Sequence, residues 1–186
     1  MKSVFLFLLI AVAAATRLVP HPPNVAAIVA LGLFAGYHVR GRWAWALPVA
    51  AVGLSDVVGH FCNLPGMGFY NPLAMACVYS GFIAAVGIGW VSKRVSKDQP
   101  SLGKGLSVLG GSLAASLAFF LISNFGVWLA GWYPMNAAGL LQCYFNAIPF
   151  FRNALIGDLS FALVLFGSMA MANAWSARKQ SSIQTA

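Results

Sequence analysis

The sequence predicts an all-α, polytopic membrane protein, a bundle of six transmembrane helices. Three observations carry that expectation. Of the 186 residues, 60% are hydrophobic and only 8% charged, where a soluble domain carries about 25% charged residues. Apolar runs of bilayer-spanning length recur along the chain, parted by short polar or Pro/Gly-rich breaks. Lysine and arginine collect in alternate breaks, which is how membrane topology is encoded. No break is long enough to separate two domains, so residues 1–176 are expected as one transmembrane domain and 177–186 as a polar, disordered cytoplasmic tail.

The spans are expected at residues 4–19, 25–37, 43–58, 72–91, 106–129 and 154–174. The first has a competing interpretation. Lys2, the apolar stretch and Ala13-Ala14-Ala15 also fit a secretory signal peptide with a small-residue cleavage site. Against that, the apolar stretch continues through Leu18 and Val19, and the charge balance works best with the helix retained. The second span is short, and tilts or extends into His38–Arg40. Gly/Pro breaks bracket the third and fourth, as helix ends should be bracketed. Trp43, Trp45, Trp90, Trp132 and Trp175 lie near span ends, where indole rings favour the headgroup region. Small residues at helical spacing (Ala11/Ala15, Ala26/Ala30, Gly110/Ala114, Gly111/Ala115) permit close helix contact.

With a cytoplasmic N-terminus, the inner segments hold Lys2, Arg40, Arg42, Lys93, Arg94, Lys97, Lys104, Arg178 and Lys179. That is nine of the eleven basic side chains, and the outer side keeps only Arg17 and Arg152. Positive charge is retained inside during insertion, so both termini are expected in the cytoplasm of a bacterium, with the chain in its inner membrane. The same distribution argues against nucleic acid as a partner, since the net charge of +8 forms no continuous basic face.

This topology brings the polar residues to one level. Asp56 ends the third span at the outer side, and Asn124 and Asp158 each lie about one turn inside an outer helix end. Arg17 and Arg152 flank outer ends, Asn24 and His60 occupy outer loops, and His21 between two prolines is expected as a solvated loop residue. An ionised group in hydrocarbon costs at least a few kcal/mol, so these side chains should face the bundle interior, a wet cavity or each other. Each charge singly also fits a structural role. Arg152 and Asp158, for example, fit a pairing across a helix start, with Arg152 snorkelling. The outer loops 59–71 and 131–153 are rich in Pro, Gly and aromatics, including Tyr133, and suit a cap packed over the helix ends.

Catalytic signatures are absent. No serine sits in Gly-x-Ser-x-Gly, there is no His-Glu-x-x-His and no glutamate at all, and no glycine-rich loop ends in Gly-Lys-Ser/Thr. The chain is therefore expected not to be an enzyme, with no catalytic residues and no cofactor. Three cysteines without a Cys-x-x-Cys pair make no metal framework. Cys77 reads as a small core residue. Cys62 and Cys143 fall in two outer loops, where a disulfide or ligation of a soft metal by a single thiol are both open.

The motifs Arg17-Leu-Val-Pro-His-Pro-Pro-Asn24, Leu54-Ser-Asp56, Phe120-Leu-Ile-Ser-Asn-Phe-Gly-Val-Trp128, Cys143-Tyr-Phe-Asn-Ala-Ile-Pro-Phe-Phe-Arg-Asn153 and Gly157-Asp158 resemble an uncharacterised bacterial family of integral membrane proteins grouped with transport proteins. More distantly, the layout is similar to the substrate-binding S-components of energy-coupling-factor (ECF) vitamin transporters. That resemblance implies six helices, cytoplasmic termini and a vitamin pocket closed by outer loops. It also implies small-residue surfaces, here Ala11, Ala15, Ala26 and Ala30, that contact an energising ATPase or transmembrane module. Some S-components are solitary and take cobalamin through a cysteine, which makes a corrinoid one candidate ligand and Cys62 a candidate contact. The expected function is binding and uptake of a small, vitamin-like nutrient from the outer face. Arg17, Asn24, Asp56, His60, Asn124, Tyr133, Arg152 and Asp158 are expected to line or brace the site. The alternative is a structural or assembly subunit whose outer polar cluster only fixes helix packing.

Overall fold

The computed structural model describes residues 3–20, 22, 24–64 and 67–184. Lys2 and His21, and the roles expected of them, lie outside the described residues. Six α-helices and no strand occur among the described residues: α1 Ser3–Leu18, α2 Ile28–His38, α3 Trp43–Phe61, α4 Pro72–Val95, α5 Ser101–Leu129 and α6 Ala137–Gln184. Helices α3 to α6 are each long and apolar enough to cross a membrane, and α1 and α2 are shorter apolar helices. The outward faces are apolar too. Helix α5 exposes Leu102, Leu106, Leu109, Leu113, Leu117 and Leu121, a stripe at helical spacing. A face of that kind is stable in lipid and not in water. The chain is a polytopic, helical membrane protein.

Helix α2 is the hub. It packs against α1, α3, α4, α5 and α6, and every residue from Ile28 to Gly36 is buried. Its sequence is apolar on all sides, as a helix enclosed on all sides must be. Contact between α2 and α4 is made through backbone. Methyl groups added at Gly36 or Gly89 would fall on the carbonyl oxygens of Val86 and Leu33 respectively. Gly111 and Ala115 of α5 are likewise buried, as their spacing predicts, whereas Gly110 and Ala114 are exposed. Ala11 and Ala15 lie on an exposed face of α1. The Ala26/Ala30 pair is corrected: Ala30 is 1% exposed because α2 is central, so it serves packing within the bundle and offers no surface to a partner.

Helix ends follow local chemistry. Asn71 caps α4, its Oδ1 accepting from the N–H groups of Leu73 (2.9 Å) and Ala74 (3.3 Å), with Pro72 in the first turn. The expected cap over residues 131–153 is replaced by helix. After a short turn, Asn136 Oδ1 accepts from Gly139 N–H at 2.8 Å, and α6 then runs 48 residues from Ala137 to Gln184. Pro149 does not end it, although it lacks the N–H that would bond the Phe145 carbonyl. At 1.5 Å per residue α6 is about 72 Å long, more than twice the hydrocarbon core, so it extends beyond the bilayer. It also continues through residues expected as a disordered tail.

Candidate functional site

At the end of the bundle where α1 finishes and α2 begins, a cavity of about 530 Å³ opens between α2, α4, α5 and α6. Its origin is the length of α2. Eleven residues make about 17 Å of helix, roughly half the hydrocarbon thickness. The neighbouring helices continue past its first turn, and the space above that turn is left unfilled. Irregular backbone at membrane depth is tolerated where protein buries it or where it lines a wet cavity. The segment before α2 is tied down accordingly: Ala27 N–H donates to Thr16 Oγ1 (3.1 Å) and Val25 N–H to the Pro22 carbonyl (3.1 Å). Asn24 takes the left-handed conformation, φ 64°, which asparagine tolerates better than most residues.

The walls are aromatic. Phe82, Phe119, Phe120, Phe150 and Phe151 line the cavity, and Tyr70 joins them from the loop before α4. Phe82 stacks on Phe119 at 4.7 Å and Phe120 meets Phe151 at 4.6 Å between centroids, so the rings support one another as a preformed surface. Burial raises the Tyr70 phenol above its ordinary value, the Asp56 carboxylate adds to the rise and Arg17 opposes it. Tyr70 is therefore a neutral hydroxyl donor at physiological pH.

Four of the eight expected site residues line this cavity: Arg17, Asn24, Asn124 and Asp158. Asp158 is 2% exposed, and its Oδ2 accepts from Ser116 Oγ at 2.7 Å. Asp56 braces the site from behind. Its Oδ1 is 2.8 Å from Arg17 Nη1 and its Oδ2 accepts from Tyr79 O–H at 3.0 Å. Arg17 also donates to Ser55 Oγ and the Val52 carbonyl. These contacts clasp α1, α3 and α4 together beside the cavity.

The other three expected residues stand outside it. His60, exposed, packs its ring against Phe61 and Phe69. Tyr133 accepts from Asn146 Nδ2 at 3.3 Å, away from the lining. Arg152 is exposed and makes no ion pair with Asp158. Six residues along α6 are more than one and a half turns, which puts the two side chains on different faces. Arg152→Ala is therefore expected to leave folding and cavity occupancy unchanged, as checked by thermal stability and ligand content of the purified protein.

Phe150 and Phe151 belong to the aromatic outer segment expected from the sequence, whereas sequence reasoning missed Phe82, Phe119 and Phe120 as walls, together with Met67, Ser116 and Ser123. Ser112, Ser116 and Ser123 lie on α5 amid apolar residues, and buried hydroxyls in an apolar helix were the available signal.

All three cysteines are free thiols. Cys143 is buried within α6, its thiol donating to the Asn124 carbonyl at 3.4 Å, while Cys62 is exposed at the end of α3. The disulfide left open by the sequence is thus not formed, because Cys143 belongs to a helix packed on α5 and not to a loop. Neither lines the cavity. Among the described residues no three His, Cys, Asp or Glu side chains cluster as metal ligands. A maleimide is expected to label Cys62 rapidly in the folded protein and Cys143 only after denaturation, as peptide mass mapping would reveal.

The chain belongs to a family described as "Family of unknown function (DUF6580)", whose model matches residues 1–181. No curated protein and no solved structure matches it.

Proposed function

We propose that this protein binds a small organic molecule in the cavity above α2 and takes part in its uptake across the bacterial inner membrane, in the manner of an ECF transporter S-component. The observation that carries the proposal is the cavity itself. A volume of about 530 Å³ lies within the range of small-molecule sites, and a predominantly apolar wall with a few convergent polar groups is how such sites divide affinity from orientation. A corrinoid is much larger than the drug-sized molecules such cavities enclose, so a compact vitamin-like nutrient suits this one better. Loop charges support an outward-facing mouth and cytoplasmic termini. The role is non-catalytic. Partners are the substrate, the lipid bilayer and an energising module that would dock on the exposed α1 face bearing Ala11 and Ala15.

Filling the cavity tests this role. Ala154 lines it, and Ala154→Trp would occupy space with an indole. A thermal-stability screen of water-soluble metabolites should find compounds that raise the melting temperature of the wild type and not of Ala154→Trp. Equal responses of the two proteins to every stabilising compound would contradict binding in the cavity. Orientation has its own check, since an impermeant maleimide should reach Cys62 in intact cells or spheroplasts.

The structural-subunit alternative is favoured by the Arg17–Asp56–Tyr79 clasp, which fixes helix packing without any ligand. Under that role Ala154→Trp would alter stability alone.

A further inference from the structure

Resting on the binding role proposed above, the chemistry of the lining selects a ligand class. Its charges are unequally compensated. The Arg17 guanidinium is held by Asp56 at 2.8 Å and donates further to Ser55 and Val52. Asp158 has no cation within ion-pair distance among the described residues. Its carboxyl, 2% exposed, meets one hydroxyl, that of Ser116.

That hydroxyl is itself overcommitted. Ser116 Oγ lies 3.0 Å from the Ser112 carbonyl as well as 2.7 Å from Asp158 Oδ2. A serine has a single proton to donate, so one proton faces two acceptors. A carboxylate has about four acceptor positions, and most of those of Asp158 are left for an occupant of the cavity.

The neighbouring polar groups add further acceptors. Asn124 spends an Nδ2 proton on the Phe120 carbonyl at 2.8 Å, and Ser123 donates to the Phe119 carbonyl at 2.7 Å. Their remaining oxygen lone pairs are acceptors. Asn124 keeps one Nδ2 proton and Asn24 carries an amide of its own, but these donors, like the Tyr70 hydroxyl, are neutral. The one cationic donor among the described residues of the lining, Arg17, belongs to α1 and is already held by Asp56, whereas Asp158 and Ser116 lie within α6 and α5. Around these acceptors stand phenylalanine faces, which attract cations through the ring quadrupole.

We infer that the cavity takes an organic cation, a flat apolar or aromatic molecule whose protonated amine or amidine nitrogen donates to Asp158 while its body lies between the phenylalanine rings. Three probes with one ring system and different head charges test this on the detergent-purified full chain: tryptamine, tryptophol and indole-3-acetate, titrated by calorimetry at neutral pH. The expected result is that tryptamine binds at least tenfold more tightly than either of the others. Asp158→Asn, which keeps the shape and the contact with Ser116, should bring tryptamine down to the affinity of tryptophol. The wild-type series stands even if that variant folds poorly. Equal affinities for the three probes would overturn the cation preference while leaving the cavity as a binding site. Preference for indole-3-acetate would overturn it in favour of Arg17. Binding of none of them would overturn the preference, and equal responses of the wild type and Ala154→Trp to every stabilising compound would overturn the cavity's binding role with it.

Discussion

Replacing Arg17 with alanine is expected to destabilise the protein by about 3–5 kcal/mol, the loss typical of stranding one member of a buried ion pair. Asp56 is the reason. Its side chain is 3% exposed, and its cationic partner is Arg17 at 2.8 Å. Tyr79 supplies one further hydrogen bond, which does not replace a cation. The reciprocal change should be milder, because Arg17 is 16% exposed and its long stem can carry the freed charge toward the headgroups. A double variant, Arg17→Met with Asp56→Leu, removes both charges and should recover most of the loss, since apolar pairs of similar volume commonly replace buried ion pairs without penalty. Chemical or thermal unfolding in detergent of the wild type, Arg17→Met, Asp56→Leu and the double variant reads all four corners of this cycle. Additive losses would show that the two side chains do not act as a pair.

The second large effect is expected at the α2–α4 contact. Gly89→Ala places a methyl group on the Leu33 carbonyl, and Gly36→Ala places one on Val86. Backbone cannot rotate aside as a side chain can, so the helices must separate. Overpacking typically costs about 1–3 kcal/mol and occasionally more, and these sites belong at the upper end because α2 touches every other helix. Gly87 provides the control on the same helix. Nothing lies within 4 Å of a Cβ built there, and Gly87→Ala should be neutral or stabilising by up to about 1 kcal/mol through helix propensity. Melting temperatures of Gly87→Ala and Gly89→Ala should therefore move apart. Parallel shifts would contradict the close approach of α2 and α4.

Much of this architecture was legible in the sequence, for identifiable reasons. Five helices begin and end within a few residues of expectation, because their limits are marked by Asn71-Pro72, Gly41, Pro20 and the charged run Lys93–Lys97. The concentration of Arg17, Asn24, Asn124 and Asp158 at one level is also real, since a polar group in an apolar helix must find water or a partner. Helix α6 was less legible. Pro149 and the aromatics around it imitate a loop, yet the effective boundary is Gly131–Asn136, where Asn136 caps the helix.

The cavity walls could not be assigned from hydropathy. Phe119, which lines the cavity, and Leu117, which faces outward, are both apolar, and in a membrane helix neither the core face nor the lipid face carries a polar signature. His60, Tyr133 and Arg152 fall outside the lining for a related reason. Depth along a helix follows from the sequence, but the direction in which a side chain points depends on how the helix is rotated in the bundle.

The central claim, that the space above α2 holds a small molecule, is tested most directly by native mass spectrometry of the wild-type protein and Ala154→Trp, released gently from detergent. Binding in the cavity predicts a discrete adduct of small-molecule mass on the wild type, or one acquired on addition of a stabilising metabolite, and its absence from the variant. An adduct retained equally by both proteins would place the molecule elsewhere and contradict the claim.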